Sequence, residues 1–171
     1  MQRNLRTGRA SVLASIVCFV ASSFLVLMTA AVSAWAEPAN SPQVLPTETV
    51  TLQTTKGPVS FNTMIAADDA ARQKGLMFRR KMADHQAMIF DFPEATPVSF
   101  WMHNTALGLD IIFIGADGKI TNIAANAKPY DDTPLPSAGP ARAVLEIKAG
   151  LAKRFGVKVG DRVTDGWIFP K

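Results

Sequence analysis

From Thr49 onward, apolar side chains recur at every second position, in short runs separated by turn-forming residues. A period of two restricts such runs to β-strands, because successive side chains on a strand point to opposite faces. Val50 and Leu52 alternate with Thr49, Thr51 and Gln53, and Lys56-Gly57-Pro58 supplies turn chemistry. Val59, Phe61, Thr63 and Ile65 then alternate with Ser60, Asn62 and Met64, which predicts a hairpin. Further strands are predicted over 87–92, 97–104, 109–114, 119–125 and 142–148. Another falls within 157–163, and 167–169 is placed to close an edge. The run 109–114 is apolar on both faces except at Asp110, as expected of a strand covered on both sides. Ala116-Asp117-Gly118 is a hairpin turn. Helical signals are sparse. Asp68-Asp69 can cap a short helix over 70–74 that Gly75 ends, and 150–155 reads as one helical turn. No strand–helix alternation points to a parallel sheet. The expected fold is a single, mostly β domain, an antiparallel sandwich or barrel-like structure with one or two short helices.

The N-terminal residues follow different rules. Arg3, Arg6 and Arg9 precede an almost wholly apolar run over 11–32, and Ala34-Trp35-Ala36 is a small-x-small pattern. This is the layout of a secretory signal peptide over 1–36, with an uncleaved membrane anchor as the alternative. Either arrangement places the remainder outside the cytoplasm, in the periplasm or the medium. The proline-bearing stretch 37–47 reads as a flexible linker, and 48–171 as the folded domain. All 14 carboxylates but only 15 of the 18 basic side chains follow residue 36, a balance of +1 for that part of the chain. Near-neutrality argues against a nucleic-acid binder that works by neutralising phosphates. The only cysteine, Cys18, lies in the leader, so the domain has no disulfide and no thiol nucleophile. A monomer with no resident cofactor is expected, touching a membrane only through its N-terminal segment.

Several segments occur in an order that carries a resemblance. They are Gly75-Leu76-Met77-Phe78-Arg79, Ala87-Met88-Ile89-Phe90 and Phe100-Trp101-Met102-His103-Asn104-Thr105, followed by the run 109–114, Asp117-Gly118 and Val144-Leu145-Glu146. Together they resemble the domain of unknown function 192 family over about 50 to 163. The resemblance implies a small, mostly β fold that is often exported in bacteria, and no established reaction, substrate or cofactor. His103 stands where the family usually has lysine or arginine, and Ala87 where it commonly has glycine.

The candidate site is Arg79, Trp101, His103, Asn104 and Asp110, covered by Tyr130 from the proline-rich loop 126–141. Strand alternation places Trp101 and His103 opposite Phe100 and Met102. An indole beside an amide and a guanidinium suits a sugar ring or a small anion. The structural alternative has Arg79 paired with Asp110, and Asn104 holding a turn. The functional expectation is binding of a small ligand or an envelope protein without chemistry. A hydrolase using His103 with Asp110 or Glu146 is the first alternative, although Glu146 reads as an outward residue pairing with Arg142 or Lys148. A copper protein is the second. It would use Met64, Met77, Met82, Met88 and Met102 with His85 and His103, although buried methionines are more often core.

Overall fold

The computed structural model describes residues 40–164 and 167–169. The expected leader over 1–36, with Cys18 and the cleavage site at Ala36, lies outside the described residues, as do 37–39 of the expected linker.

Among the described residues, nine strands and two short helices follow in the order β1 (Thr47–Thr54), β2 (Gly57–Ala66), α1 (Asp69–Lys74), β3 (Gln86–Thr96), β4 (Ser99–Phe100), β5 (Leu109–Ile114), β6 (Ile120–Ala127), β7 (Leu135–Pro136), β8 (Ala141–Lys148), α2 (Leu151–Phe155) and β9 (Arg162–Thr164). The domain is mostly β with two short helices, as expected. Seven strands form one sheet in the order β6-β5-β8-β3-β2-β1-β9, and β4 and β7 form a separate two-stranded ladder. The sheet curls far enough for its two edges to meet at one end. The Ile120 N–H donates to the Asp161 carbonyl at 2.9 Å, and the Val163 N–H to the Gly118 carbonyl at 2.8 Å.

The sheet is not wholly antiparallel. β2 and β3 pair in parallel, with Asn62 opposite Gln86 and Ala66 opposite Phe90. Parallel neighbours need a long crossover, and the chain between them supplies it through α1. Asp68 caps this helix by accepting the Ala71 N–H at 2.8 Å. Gly75 ends it with φ of 47°. A Cβ at Gly75 would stand 3.2 Å from the Phe90 ring, so glycine here serves both the turn and the packing.

Both faces of the sheet are covered, which divides the core in two. On one face Val50, Leu52, Phe61, Ile112, Leu145 and Ile147 pack with α2 and Phe169. On the other, Met88, Phe90, Met102, Ile111, Phe113 and Val144 pack with Ala71 of α1 and with Leu76. β5 is buried at all six positions, the two-sided strand read from its sequence, although it lies next to an edge strand. Within the expected linker, Gln43 is buried, and its amide donates to the carbonyls of Ala71 at 2.9 Å and Gly75 at 2.8 Å.

Candidate functional site

The segment after β4 carries most of the candidate residues. It was expected as a strand to Asn104, but ladder pairing stops at Phe100 and the chain turns. Phe100 pairs with Leu135 and Ser99 with Pro136, which fastens the proline-rich loop alongside. The Met102 N–H then donates to the Asp131 carbonyl at 2.9 Å, and the Tyr130 N–H to the Thr105 carbonyl at 3.2 Å. Met102 is buried and anchors the segment in the core. Trp101, its neighbour, is 55% exposed. Alternation therefore survives in the burial pattern without a continuous strand to impose it.

Trp101 and His103 are brought together, their ring centroids 5.4 Å apart and tilted by 35°. His103 is exposed and its Nδ1 lies 2.9 Å from Oδ1 of Asp132, in the same loop as Tyr130. Asn104 and Tyr130 are also brought together, lining a surface cavity of about 330 Å³ with Phe78 and Arg80. Asn104, Tyr130 and Phe78 all have positive φ, at 51°, 59° and 63°. The Phe78 N–H donates to the Asn104 carbonyl at 2.9 Å. Asn104 thus holds a turn, and the three strained residues share one corner.

Two expected members are elsewhere. Arg79 lines a different depression with Val44 and Asn62, and donates to the Gln43 carbonyl at 3.0 Å and to Met64 Sδ at 3.3 Å. Asp110 is fully buried, on the opposite face of the sheet from Met102. It stands opposite Ile147, in step with Ile112 and Ile114 of the other core. Its Oδ1 accepts the Asn126 N–H and its Oδ2 the Ala152 N–H, each at 2.8 Å. One carboxylate therefore ties the start of α2 and the end of β6 to β5. Asp110 pairs with neither Arg79 nor His103, and its oxygens are already occupied by backbone donors.

The methionine and histidine set is dispersed. Met82, Met88 and Met102 are buried in the apolar core. His85 Nδ1 lies 3.1 Å from the Ser60 carbonyl, and its ring packs near Phe61 and Phe155. Among the described residues, no three His, Cys, Asp or Glu side chains converge on a point that could hold a metal ion.

Trp101 also lines a larger cavity, of about 380 Å³, on the α1 face of the sheet. Phe90 and Phe92 of β3, Phe100 of β4, Leu76 and Met77 contribute its apolar walls. Arg72 of α1 lies beside it, with its guanidinium carbon 5.6 Å from the centroid of the Phe92 ring. That charge is already answered. Arg72 donates to the Ala67 and Asp91 carbonyls at 2.5 and 2.6 Å and to Asp69 Oδ1 at 2.5 Å.

Glu146 lines the same cavity from β8. It stands opposite Met88 of β3 and Ile111 of β5, both in the core beneath α1. It is 4% exposed. The outward ion pair expected for it does not form. Arg142 pairs with Asp91 instead, and Lys148 with Asp84. Among the described residues nothing donates a hydrogen bond to Glu146, and burial alone pushes its carboxyl up to about 8. It is therefore mostly neutral at pH 7. The DUF192 family model, described as an uncharacterized ACR, matches residues 50–164. The chain belongs to this family. Two solved structures are similar to the domain. One is a protein of unknown function from Novosphingobium aromaticivorans DSM 12444, 48% identical, with a TM-score of 0.70 and alignment over 74% of this chain and 94% of that one. The other is a protein of Sinorhizobium meliloti 1021 proposed to be a transcription regulator. It is 42% identical, with a TM-score of 0.70 and alignment over 72% of this chain and 98% of that one. No curated protein matches the sequence significantly. Membership in DUF192 thus fixes the fold class and leaves the chemistry to the site.

Glu146 reads as an outward residue when β8 is taken as covered on one face, so the sequence offers it as a partner of His103 and conceals its burial. Val144, two positions away on the same side of the strand, is apolar, but it becomes a signal only beside the two-sided apolar runs of β3 and β5.

Proposed function

We propose that this is an exported domain that binds a small organic ligand, without chemistry, in the cavity beneath Trp101. The observation that carries the reading is the aromatic cavity itself. Phe90, Phe92, Phe100 and Trp101 line it, and a buried carboxyl opens onto it. Ligand sites are typically concave and mostly apolar, with a few polar groups that fix orientation. Trp101 is the natural lid, because it is large, half-exposed and next to the buried anchor Met102. His103 and Asp132 support the indole from outside rather than facing the cavity, and Asn104 and Tyr130 shape the adjoining corner.

Native mass spectrometry of the full-length protein, purified without denaturation, tests this reading. An organic adduct on the wild type that is absent from Trp101→Ala, with unchanged circular dichroism, is the expected result. An adduct retained by Trp101→Ala contradicts it, as does unfolding of that variant. The export half of the proposal rests on the basic, apolar and small-residue pattern of 1–36. A fusion of those residues to alkaline phosphatase is expected to be active, since that enzyme works only outside the cytoplasm. An inactive fusion retained in the cytoplasm contradicts export.

A further inference from the structure

The side chain that the cavity least requires for packing is Glu146. A glutamate at the centre of a sheet, among Met88, Ile111 and Val144, sacrifices apolar burial unless its carboxyl is used. Three features define what could use it. First, no donor among the described residues reaches it. Second, no fully sealed polar side-chain atom lacks a partner among the described residues, so the unpaired carboxyl oxygens open onto the cavity rather than into packed core. Third, the surrounding walls are aromatic, and ring electrons attract cations. Arg72, seated over Phe92, shows that a cation is already tolerated against this wall.

We propose that the ligand of this cavity is an organic cation, an amine or quaternary ammonium group on an apolar body, met by the Glu146 carboxylate and the rings of Trp101 and Phe100. The inference rests on the cavity being the binding site and adds the class of ligand. The other charged groups lining the cavity are Arg72 and Lys74 of α1. Arg72 is neutralised by Asp69. Lys74 has a partner of its own. From β3, Met88 and Phe90 face the same side as Glu146, and from β5 Ile111 and Phe113 do so, all uncharged. Glu146 is therefore the acidic group left to meet a ligand. Burial pushes its carboxyl up, so before a cation enters it holds a proton at pH 7. When a cation enters, the O–H bond breaks, the proton passes to the buffer and the carboxylate faces the bound charge.

Isothermal titration calorimetry of the full-length protein tests this with phenyltrimethylammonium and its uncharged isostere tert-butylbenzene. Titrations at pH 7 in two buffers of different ionisation enthalpy count the protons released. The cation is expected to bind the wild type about tenfold or more tightly than the isostere, with close to one proton released per ligand. Glu146→Gln is expected to abolish the proton release and most of that preference, and Trp101→Ala to weaken both probes. Equal binding of the two probes, sensitive to Trp101→Ala, overturns the cationic ligand and leaves the cavity reading standing. Failure of both probes to bind overturns both. Should Glu146→Gln not fold, the wild-type proton count decides alone, and cation binding without proton release overturns the proposal.

Discussion

Glu146→Gln removes a buried proton and, with it, a pH dependence of stability. In an unfolded chain the carboxyl titrates near 4.5, and in the folded domain near 8. Between those values the folded state holds a proton that the unfolded chain has lost, so stability falls as pH rises. Each pH unit across the window is worth about 1.4 kcal/mol, and the full window about 5 kcal/mol. Below pH 4.5 both states are protonated and the buried acid carries no ionisation cost. Above pH 8 the loss is complete. Glutamine keeps the volume and one amide acceptor but cannot ionise. The variant should therefore lose this slope and gain on the wild type as the medium becomes alkaline. Urea denaturation at intervals from pH 4.5 to 9 measures this through the midpoints and extrapolated stabilities. Asp84, Asp117 and Asp131 do not confuse the result. All three are held below the ordinary aspartate range, Asp84 by Lys148 and Arg154, Asp117 by the Lys119 amide and Asp131 by Thr133. Their contributions change only at the acid end and have the opposite sign, rising with pH. Parallel stability profiles for wild type and Glu146→Gln would mean that Glu146 is ionised in the folded state, and would rule out the buried proton.

Three further outcomes follow from the geometry. Asp110→Asn places an amide donor against the N–H of Asn126 or Ala152, and should cost about 2 to 4 kcal/mol in urea denaturation; a loss below 1 kcal/mol would show that those two bonds do not pin α2. Asp68→Ala removes the cap of α1, and a loss of about 1 kcal/mol is expected by the same assay, with no loss arguing that the helix is held by packing alone. Trp101→Ala should change stability by about 1 kcal/mol or less because the indole is half-exposed, and a larger loss would make Trp101 a packing residue rather than a lid.

The local features of the fold were the most legible in the sequence. The β1–β2 hairpin, the β5–β6 hairpin at Asp117-Gly118 and the Asp68 cap each depend on residues close together in the chain, and all are present. What the sequence concealed depends on distant partners. The parallel pairing of β2 and β3 needs a crossover whose path no local pattern specifies. The placement of β8 between β3 and β5 buries Glu146, and nothing in Val144-Leu145-Glu146 alone distinguishes a sheet covered on one face from one covered on both. The clue was distributed over three strands, since β3, β5 and β8 each carry apolar residues on both sides. Asp110 is conspicuous as a charge in an apolar run, a pattern that points to a site. Its partners are backbone N–H groups of Asn126 and Ala152, which carry no mark in the sequence. Trp101 was placed correctly beside His103 because burial of Met102 fixes the alternation even where the strand ends.

The proposed cation site depends most directly on the protonation of Glu146, whose carboxyl opens onto the aromatic cavity. Its side-chain carboxyl carbon can be followed by NMR in protein labelled with ¹³C-glutamate, the Glu146 signal being assigned from its absence in Glu146→Gln. A midpoint of about 8 is expected in the free protein, moving well down the pH scale when phenyltrimethylammonium saturates the site. A midpoint in the ordinary carboxylate range, or one that the cation leaves in place, would contradict it.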